Sequence, residues 1–393
     1  MQRHPTAERL AYTVPPAIVV GVCGHGLATI RALHGGGMPI VALETSTRPP
    51  GTHTRLARVE LVPDLNGPGL IDALLALRER ISCPRQPVLF LTNDTMVRTV
   101  GQHWSRLEGR YALSWSQARD RLTPLLDKPA LESRCQATGV AYPGTFLLNT
   151  PKDAERAAQT IGFPMIAKPA RPLSRFKTAQ PDSPAALRAL AERFAGDLPF
   201  LVQQFIPGDD TSIYFCAFYL DRGQPLARFD GHKIRSRPLG HTSIAEPLPN
   251  EAVHAEALRF FAGLDLSGPV SLELKQDPVG RLWVIEPTVG RTDFWLGLCT
   301  ANGVNLPLIE YRHQTGMPFV APAQDNSTVW FNEDRDPLGR LWLGQHGRPG
   351  MLGRRSAFLF LHLDDLGPTR AFLAQTLLGL ATSVYRRLRR LLG

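Results

Sequence analysis

The sequence predicts a mixed α/β and α+β protein with more than one domain. Its 393 residues are enough for two or three domains of ordinary size. Strand-like and helix-like segments alternate over roughly the first 120 residues, which is typical of a unit with a parallel sheet. Beyond that point, strands are joined by turns and a hairpin as well as by helices, which indicates an α+β unit.

The first unit opens with an apolar strand at residues 17–22, a helix at 27–34 and a second strand at 39–44. Gly24 and Gly26 follow the first strand, and Glu44 lies twenty residues beyond Gly24, a pattern that dinucleotide sites can have. Thr29 replaces the third glycine of that pattern. We therefore favour glycines that serve a tight turn, with a dinucleotide site as the alternative. A helix at 69–80, a strand at 88–91 and a polar loop at 92–94 complete this unit.

The elements of the second unit follow in a different order. The sequence predicts helices at 128–139, 151–161, 184–195 and 251–263, strands at 143–146, 164–168, 200–206, 211–220 and 224–234, and a hairpin at 270–286. Residues 317–353 show no clear periodicity, and a helix closes the chain.

Composition excludes several classes of protein. There are 44 basic and 35 acidic residues, a net charge of +9, but no basic block interleaved with aromatic residues, so nucleic acid is not a predicted partner. No apolar run approaches the roughly 18 residues of a membrane-spanning helix, and the N-terminus lacks a secretory pattern, so we expect a cytoplasmic protein. The five cysteines are far apart, and we expect them to be buried and unpaired.

The predicted hairpin carries two glutamates. A two-residue loop within Asp277-Pro278-Val279-Gly280 would place Ser271 opposite Glu286 and Glu273 opposite Val284. The two glutamates would then be diagonal neighbours on one face, about 7 Å apart. Such carboxylates repel unless a cation lies between them, and their oxygens suit Mg²⁺ bound to phosphates. The alternative is a pair of solvated glutamates on an exposed face.

Lysine is scarce, because only six of the 44 basic residues are lysines. Four of them lie at a helix start, at strand ends or in a loop after a strand, where an ammonium group can reach phosphate: Lys128, Lys168, Lys177 and Lys233. The alternative for each is a surface lysine with a packed stem. Lys152 and Lys275 fit that surface interpretation.

In order and spacing, these segments resemble the ATP-grasp superfamily, in particular its carboxylate–amine ligase branch. The resemblance covers residues 128–312 and rests on Asp127-Lys128, Ile166-Ala167-Lys168-Pro169, Val202-Gln203-Gln204-Phe205-Ile206 with Pro207-Gly208-Asp209-Asp210, Ser271-Leu272-Glu273-Leu274 and Val284-Ile285-Glu286-Pro287. It implies a Rossmann-like pre-grasp domain at 1–120 and a two-lobed ATP-grasp domain at 121–316, with a nucleotide lobe at 121–206 and a catalytic lobe at 207–316. Residues 317–393 would be a C-terminal extension.

The resemblance also implies a role for each matching residue. Lys128 and Lys168 would contact the α- and β-phosphates of ATP, the segment Gln203, Gln204, Phe205 and Ile206 would hold the adenine, and Asp210 would bind the ribose. Glu273 and Glu286 would hold Mg²⁺, with Mn²⁺ as an alternative metal. Lys233 or Arg235 would steady the γ-phosphate, and Arg291 would bind the acyl phosphate.

The sequence departs from the family pattern at two places. Thr288 stands where an asparagine usually follows the second metal carboxylate, and Arg291 comes one residue later than in the commoner spacing. A threonine hydroxyl can still reach phosphate or the metal shell, so we expect Thr288 to be a weaker ligand in an active enzyme. The loop after Lys168 lacks glycine, and Arg175 and Lys177 would hold phosphate there by their side chains.

The resemblance implies an ATP- and Mg²⁺-dependent ligase that forms an acyl phosphate, lets an amine displace phosphate from it, and releases ADP. Alternatives are a kinase-like or carboxylase variant of the fold and a nucleotide-binding scaffold without catalysis. The carboxylate could belong to an amino acid, a peptide or a sugar-linked acid, and the oligomeric state stays open.

The closing helix has an apolar stripe from Leu373 to Leu391. Four arginines cluster near the end of this helix, namely Arg386, Arg387, Arg389 and Arg390. It would pack on its own domain or a dimer partner, or lie on the anionic inner face of a membrane.

Overall fold

In the computed structural model, which describes residues 8–170, 178–237, 240–347 and 350–392, the strands form four sheets. Two are parallel and lie in the N-terminal part, and one is a small antiparallel sheet. The fourth has seven strands and forms the centre of the remaining chain. The predicted mixed α/β character is therefore confirmed.

The N-terminal part alternates strands and helices, as predicted. Its elements are β1 (Leu10–Ala11), β2 (Ala17–Val20), α1 (Gly24–His34), β3 (Ile40–Glu44), β4 (Arg58–Leu61), α2 (Pro68–Arg80), β5 (Ile81–Ser82), β6 (Val88–Leu91), α3 (Asp94–Gln102), α4 (Trp104–Leu107) and α5 (Arg119–Leu122). The main sheet has the parallel order β4-β3-β2-β6, and β1 pairs with β5. The strand order changes direction beside β2, which opens a crevice at the carboxyl ends of β2 and β6.

The glycines after β2 serve a tight turn, as we favoured. A Cβ on Gly26 would lie 1.9 Å from the carbonyl oxygen of Gly21, so only glycine lets α1 approach β2 this closely. The buried Glu44 carboxylate accepts the backbone N–H groups of Val22 and Thr45, each at 2.8 Å. Both Glu44 oxygens are thus engaged in holding the turn. In a dinucleotide site, these are the oxygens that would bind the ribose hydroxyls.

The small antiparallel sheet follows. Its elements are α6 (Lys128–Thr138), β7 (Thr145–Leu148), α7 (Ala154–Ile161), β8 (Met165–Pro169), α8 (Pro184–Arg193) and β9 (Phe200–Gln204), in the strand order β7-β9-β8. Leu148, Met165, Leu187 and Phe200 belong to one buried cluster, which packs α7 and α8 onto the sheet.

The seven-stranded sheet has the order β14-β13-β10-β11-β12-β15-β16. Its elements and those around it are β10 (Ile213–Asp221), β11 (Gln224–Ser236), β12 (Thr242–Pro247), α9 (Glu251–Phe261), β13 (Gly268–Gln276), β14 (Leu282–Val289), α10 (Leu296–Ala301), α11 (Leu306–Thr315), β15 (Thr328–Phe331), α12 (Gly339–His346), β16 (Arg355–Phe358) and α13 (Leu366–Leu392). Short 3-10 helices span Pro50–His53, Ser116–Ala118, Thr123–Leu126, Pro151–Asp153, Ala195–Asp197, Asp210–Ser212 and Met351–Gly353. The sequence pattern did not reveal the two strands that extend this sheet, β15 within the region without clear periodicity and β16 just after it. The domain boundaries at 120, 206 and 316 stay predictions.

The two faces of the large sheet are covered differently. Phe218 and Leu272 face α9 and share a buried cluster with residues of the N-terminal sheet. Phe215, on the other face, stacks on Trp295 with ring centres 3.9 Å apart. Glu273 is paired with Phe215 in the register, so its side chain points to the face that α10 covers.

Three cysteines are buried as expected, namely Cys135, Cys216 and Cys299. The expectation was wrong for Cys23, which is exposed in the turn before α1, and for Cys83, which is half-buried. Within the described residues, no helix combines the length and the apolar character that crossing a membrane requires.

A buried acid joins α11 to the N-terminal unit. Glu310 is 4% exposed, and its carboxyl oxygen Oε1 accepts a hydrogen bond from the Ser114 hydroxyl. Burial raises the pKa of Glu310 from 4.5 to about 8, with the Ser114 hydrogen bond opposing that shift. The group is therefore mostly protonated in the folded chain at neutral pH.

We predict that Glu310→Gln reduces the pH dependence of stability. Between about pH 4.5 and pH 8 the unfolded chain has lost this proton while the folded chain keeps it, so the free energy of unfolding falls as pH rises, by up to about 5 kcal/mol from this group. The amide of the substituted glutamine does not titrate, and unfolding in urea at several pH values should show a flatter profile for the variant. The control is Glu256→Gln, at a partly exposed ion pair with Arg259. Parallel profiles for Glu310→Gln and the unaltered chain would contradict the prediction.

Candidate active site

Two glutamates face each other directly on β13 and β14. Glu273 is paired with Glu286 in the register of these antiparallel strands, so both side chains project from the same face. Glu273 is half-buried and Glu286 is exposed. The two carboxylates are therefore neighbours on one face, as predicted. The predicted register was wrong, because Glu273 lies directly opposite Glu286 and not diagonal to it.

The turn and a β-bulge account for the difference. Gln276 pairs with Leu282, so the loop has five residues instead of the predicted two. Asp277 holds this longer loop, because its backbone N–H donates to Arg281 O and its carboxylate accepts the Arg281 N–H, both at 2.9 Å. One extra residue, Ile285, then shifts the register so that Glu286 lies opposite Glu273. Ser271 lies opposite Thr288 and not opposite Glu286.

A buried lysine balances one charge of this carboxylate pair. Lys233, on β11, donates from Nζ to Glu273 Oε2 at 3.0 Å, and its side chain is 5% exposed. Phe215, on the strand between them, pairs with Gly231, where a Cβ would come within 2.1 Å of the Phe215 ring. Because glycine has no side chain, Gly231 leaves room for Phe215. The Phe215 ring thus fits on β10, the strand between those that carry Lys233 and Glu273.

A buried aspartate organises the hydroxyl groups beside the pair. Asp293 Oδ2 accepts hydrogen bonds from the hydroxyls of Thr288, at 2.9 Å, and Ser271, at 3.2 Å. Its other oxygen accepts the N–H of Phe294 at 2.7 Å. The predicted contact of Thr288 with a metal stays a prediction. The donation to Asp293 leaves the lone pairs of the Thr288 oxygen as acceptors.

Arg291, just after β14, joins the large sheet to the N-terminal unit. Its Nε lies 2.7 Å from Asp94 Oδ1, at the start of α3. Burial opposes the charge of the guanidinium, but Asp94, Asp293 and Glu286 outweigh that effect and raise the pKa of Arg291 above its usual value. Arg291 therefore keeps its positive charge beside Glu286.

His25 contributes a neutral imidazole to the same place. Its Nε2 lies 2.8 Å from the hydroxyl of Thr292, and its Nδ1 lies 3.2 Å from the carbonyl oxygen of Thr92. Burial, and then the charge of Arg291, lowers the pKa of His25 to about 4. Because a carbonyl only accepts, Nδ1 carries the proton and Nε2 accepts from Thr292.

Sequence reasoning missed His25, Asp94, Thr292 and Asp293 as site residues. A signal for the first two was present, because His25 and Asp94 follow the neighbouring parallel strands β2 and β6. The crevice at such a change of strand order is where open α/β sheets bind ligands. Thr292 and Asp293 directly follow Arg291, a predicted site residue, in the sequence.

The predicted adenine segment lies against the face that carries Glu273. Lys275, two residues further along β13, donates from Nζ to Gly208 O at 2.7 Å and lies 5.2 Å from the centre of the Phe205 ring. Lys275 is half-buried with its ammonium group bonded at the surface, and Lys152 is exposed, so both agree with the surface interpretation. Asp210 accepts the N–H of Ser236 at 2.7 Å, which fixes its carboxylate beside β11.

The other predicted nucleotide contacts are placed as follows. Gln203 is buried and donates from its side chain to the Thr145 hydroxyl, while Gln204 ends β9 opposite Met165 and Ile206 is buried beyond it. Lys168 lies on β8 opposite Leu201. Lys128 begins α6 as predicted, and Arg175 and Lys177 lie outside the described residues. The nucleotide roles of all these residues stay predictions.

Arg235 takes a different direction from Lys233. Its Nε lies 2.7 Å from Asp336 Oδ2, and its guanidinium stacks 4.1 Å from the centre of the Trp342 ring. A register shift in the pairing of β11 with β12, between Lys233 and Arg235, separates the two residues. Lys233 is therefore the one that the structure joins to the carboxylate pair.

The carboxylate pair fits a metal that arrives with a nucleotide. Among the described residues, no cluster of three or more histidine, cysteine or acidic side chains could hold a metal ion. Two facing carboxylates supply only part of the octahedral shell of Mg²⁺, which commonly completes it with water and phosphate oxygens. The donor set therefore suits Mg²⁺ bridged to ATP better than a permanently bound metal.

A D-aspartate ligase of Enterococcus faecium is similar in sequence to most of this chain. The two chains are 23% identical over 333 residues, which cover 75% of this chain and 74% of that protein. A D-alanine–D-alanine ligase of Stutzerimonas stutzeri is 25% identical over 193 residues, but the match spans only 61% of its length and 46% of this chain. A scan against protein-family models finds no match.

Solved structures agree with this similarity at the level of the fold. An N5-carboxyaminoimidazole ribonucleotide synthetase bound to ADP superposes with a TM-score of 0.63 at 13% identity, over 80% of this chain and 81% of that chain. The biotin carboxylase domain of a Hydrogenobacter thermophilus 2-oxoglutarate carboxylase gives a TM-score of 0.61 at 14% identity, over 81% and 74% of the two chains.

This chain shares its fold with these solved enzymes and is similar in sequence to ATP-dependent ligases, which confirms the predicted resemblance to the ATP-grasp superfamily. The similarity to these ligases agrees with the predicted resemblance to the carboxylate–amine ligase branch, and the chain is an ATP-dependent ligase that forms a carbon–nitrogen bond. In this chain, the carboxylate pair, Lys233, Arg291 and His25 come together from the large sheet and the N-terminal crevice.

We predict that Lys233→Ala lowers ATP turnover by at least about a hundredfold, because it removes a buried cation beside developing negative charge. Turnover is measured as ADP formation, and thermal unfolding verifies the fold. Lys152→Ala, at an exposed lysine, is the matched control and should keep full turnover. Equal turnover in the two variants would show that Lys233 has only a structural role.

Proposed function

We propose that this ATP-grasp ligase activates the carboxylate of a D-amino acid and joins it to an amine, with release of ADP and phosphate. The observation that carries the proposal is the direct opposition of Glu273 and Glu286, with Lys233 and Arg291 beside them. The choice of a D-amino acid is supported by the names of two relatives, a D-aspartate ligase and a D-alanine–D-alanine ligase.

The chemistry would take two steps. An oxygen of the substrate carboxylate attacks the γ-phosphorus of ATP, the bond from that phosphorus to the bridging oxygen breaks, and ADP leaves. The amine then attacks the acyl carbon, phosphate leaves with the bonding electrons, and the nitrogen loses a proton. The protein's share is position and charge, so Lys233 and Lys168 would stabilise the phosphates while Arg291 would hold the acyl phosphate.

Glu273 and Glu286 would hold Mg²⁺, or Mn²⁺ as the alternative, with Thr288 as a further oxygen ligand. The metal would supply neutralisation of charge on the transferred phosphoryl group. We infer that Glu286, the more exposed carboxylate, is the more accessible of the two to the metal.

The N-terminal unit would act as the Rossmann-like pre-grasp domain and contribute to the substrate pocket. Arg291 and Asp94 place opposite charges in one crevice, next to the neutral His25. An amino acid carries both a carboxylate and an ammonium group, so this arrangement suits such a substrate better than a simple acid.

A carboxylase is the second candidate, because the fold also matches an N5-carboxyaminoimidazole ribonucleotide synthetase and a biotin carboxylase domain. That candidate predicts ADP formation that depends on bicarbonate. A kinase-like enzyme would instead leave a stable phosphorylated product, and a scaffold without catalysis would form no ADP above background.

Hydroxylamine can test the proposal before the natural amine is known, because it attacks acyl phosphates to give hydroxamates. We expect ATP-dependent hydroxamate formation with one or more members of a panel of D-amino acids, and less with their L-enantiomers. Bicarbonate as the sole effective acid would favour the carboxylase.

We predict that Glu286→Gln lowers Mg²⁺-dependent ADP formation by at least about a hundredfold while thermal unfolding stays unchanged, since one of two anionic ligands is lost from an exposed position. The matched control is Glu256→Gln, at a glutamate on α9 that is ion-paired with Arg259. Near-normal turnover of Glu286→Gln would contradict the proposal that Glu286 is a metal ligand.

We also propose that α13 touches an anionic membrane at the inner face while the enzyme stays cytoplasmic. Four leucines on its described part are exposed, namely Leu366, Leu373, Leu377 and Leu378. The sequence adds four arginines near the end of the helix, and binding at an interface needs both signals.

A full-length variant with Arg386, Arg387, Arg389 and Arg390 changed to glutamine should lose co-sedimentation with anionic vesicles at low salt. A control with the same change at the exposed Arg106, Arg156, Arg188 and Arg222 should keep it. Equal binding of both variants, or none by the unaltered chain, would leave α13 as a helix that packs on protein.

A further inference from the structure

The segment that carries Asp210 is held against β11 by two hydrogen bonds. Oδ2 of the half-buried Asp210 accepts the backbone N–H of Ser236 at 2.7 Å. The carbonyl oxygen of the next residue, Thr211, lies 2.6 Å from Nε2 of His232. A carbonyl only accepts, so Nε2 carries a proton and donates it to Thr211. The position of Asp210 therefore depends on His232 as well as on Ser236.

His232 is itself fixed from its other side. Its side chain is 2% exposed, and its ring packs on the ring of Tyr214 with centres 4.8 Å apart. Its Nδ1 lies 3.2 Å from Oε1 of Glu246, which is paired with His232 in the register of β11 and β12. The imidazole is thus held between the carboxylate of Glu246 and the carbonyl of Thr211.

Glu246 continues this line of contacts into the predicted C-terminal extension. Its side chain is buried, and its second oxygen, Oε2, accepts a hydrogen bond from Nη1 of Arg354 at 2.8 Å. Arg354 directly precedes β16. Hydrogen bonds between charged groups are stronger than those between neutral groups. A continuous line of polar contacts therefore runs from Arg354 through Glu246 and His232 to the residue after Asp210.

The strand pairing around this line is irregular. The register of β11 with β12 shifts between Lys233 and Arg235 and again between Arg235 and Ser236. Such shifts disrupt the ladder locally, so the ladder alone fixes Ser236 less firmly than a regular one would. The side-chain contacts of His232 supply a second attachment for the Asp210 segment at this place.

His232 does not share a face with the carboxylate pair. Neighbouring residues of a strand point to opposite faces, and the next residue, Lys233, donates to Glu273 on the face that α10 covers. Any effect of His232 on a nucleotide at that face therefore has to pass through the segment that it holds.

We propose that Arg354, Glu246 and His232 are positioning residues that hold Asp210 for the ribose of the nucleotide, so that the C-terminal extension contributes to nucleotide affinity. This inference rests on the predicted contact of Asp210 with ribose in the proposed function. Without these residues, Asp210 would have to be ordered when the nucleotide binds, and that ordering lowers affinity.

Isothermal titration calorimetry of the full chain in Mg²⁺ with ADP and with 2′,3′-dideoxy-ADP, which lacks both ribose hydroxyls, tests the proposal. For the unaltered chain we expect ADP to bind about tenfold more tightly than the dideoxy nucleotide. Arg354→Gln should weaken ADP binding about fivefold and leave dideoxy-ADP binding unchanged, because that ligand has no hydroxyl for Asp210 to bind. Arg354→Lys keeps the charge and should restore part of the ADP affinity.

The matched control is Arg355→Gln, at the neighbouring arginine, which lies 2.8 Å from the exposed Asp325. This variant should bind both nucleotides as the unaltered chain does, because an exposed ion pair contributes little. Glu246→Gln keeps the side-chain shape, removes the charge that Arg354 and His232 contact, and decides the matter if Arg354→Gln does not fold.

Equal weakening of both nucleotides in Arg354→Gln would show a general structural role and overturn the proposal, and so would unchanged ADP binding. Equal affinity of the unaltered chain for the two nucleotides would remove the ribose contact of Asp210 and overturn the proposal as well. ATP-dependent hydroxamate formation would in that case still support the ligase, so the two failures are distinguishable.

Discussion

Two like charges held directly opposite each other on neighbouring strands are the constraint on which the rest of the active site depends. Glu273 and Glu286 cannot separate without a change of register, and opposed carboxylates destabilise a sheet. The structure meets this cost from two sides. Lys233 pairs with Glu273 from β11, and Arg291 lies in the field of Glu286 while Asp94 holds it from the N-terminal unit. Each cation comes from a different part of the chain, so the pair of carboxylates links those parts.

Local pattern was enough to predict the elements that carry most of the site. The strand–helix alternation, the lysines at element ends and the two glutamates of one hairpin all have local signals. The register of β13 and β14 has no such local signal, because it depends on the five-residue loop at Asp277–Arg281 and on the bulge at Ile285. A prediction from the alternation of side chains along a strand assumes that every residue is paired with one on the neighbouring strand. One unpaired residue therefore changes which side chains lie opposite each other.

Contacts between segments that are distant in the sequence could not be predicted, for another reason. His25 and Thr292 are 267 residues apart, and neither sits in a pattern that indicates the other. The short strands β15 and β16 are also defined by the neighbours they pair with, since each has only four residues. The order of β2, β3 and β6 in the sheet is what brings the loops after β2 and β6 together. Once that order is known, the placement of His25 and Asp94 follows from the rule for open α/β sheets.

The departure at Thr288 is compatible with catalysis because of what lies behind it. Its hydroxyl proton is directed to Asp293, a buried carboxylate that also accepts from Ser271 and contributes to the raised pKa of Arg291. Donation in that direction polarises the Thr288 oxygen and turns its lone pairs away from Asp293. An asparagine at this position would offer a carbonyl oxygen to a metal without such support. As a metal ligand, Thr288 would rely on its neighbours for the negative character that an amide oxygen has by itself, and Asp293, five residues further along the chain, would supply it.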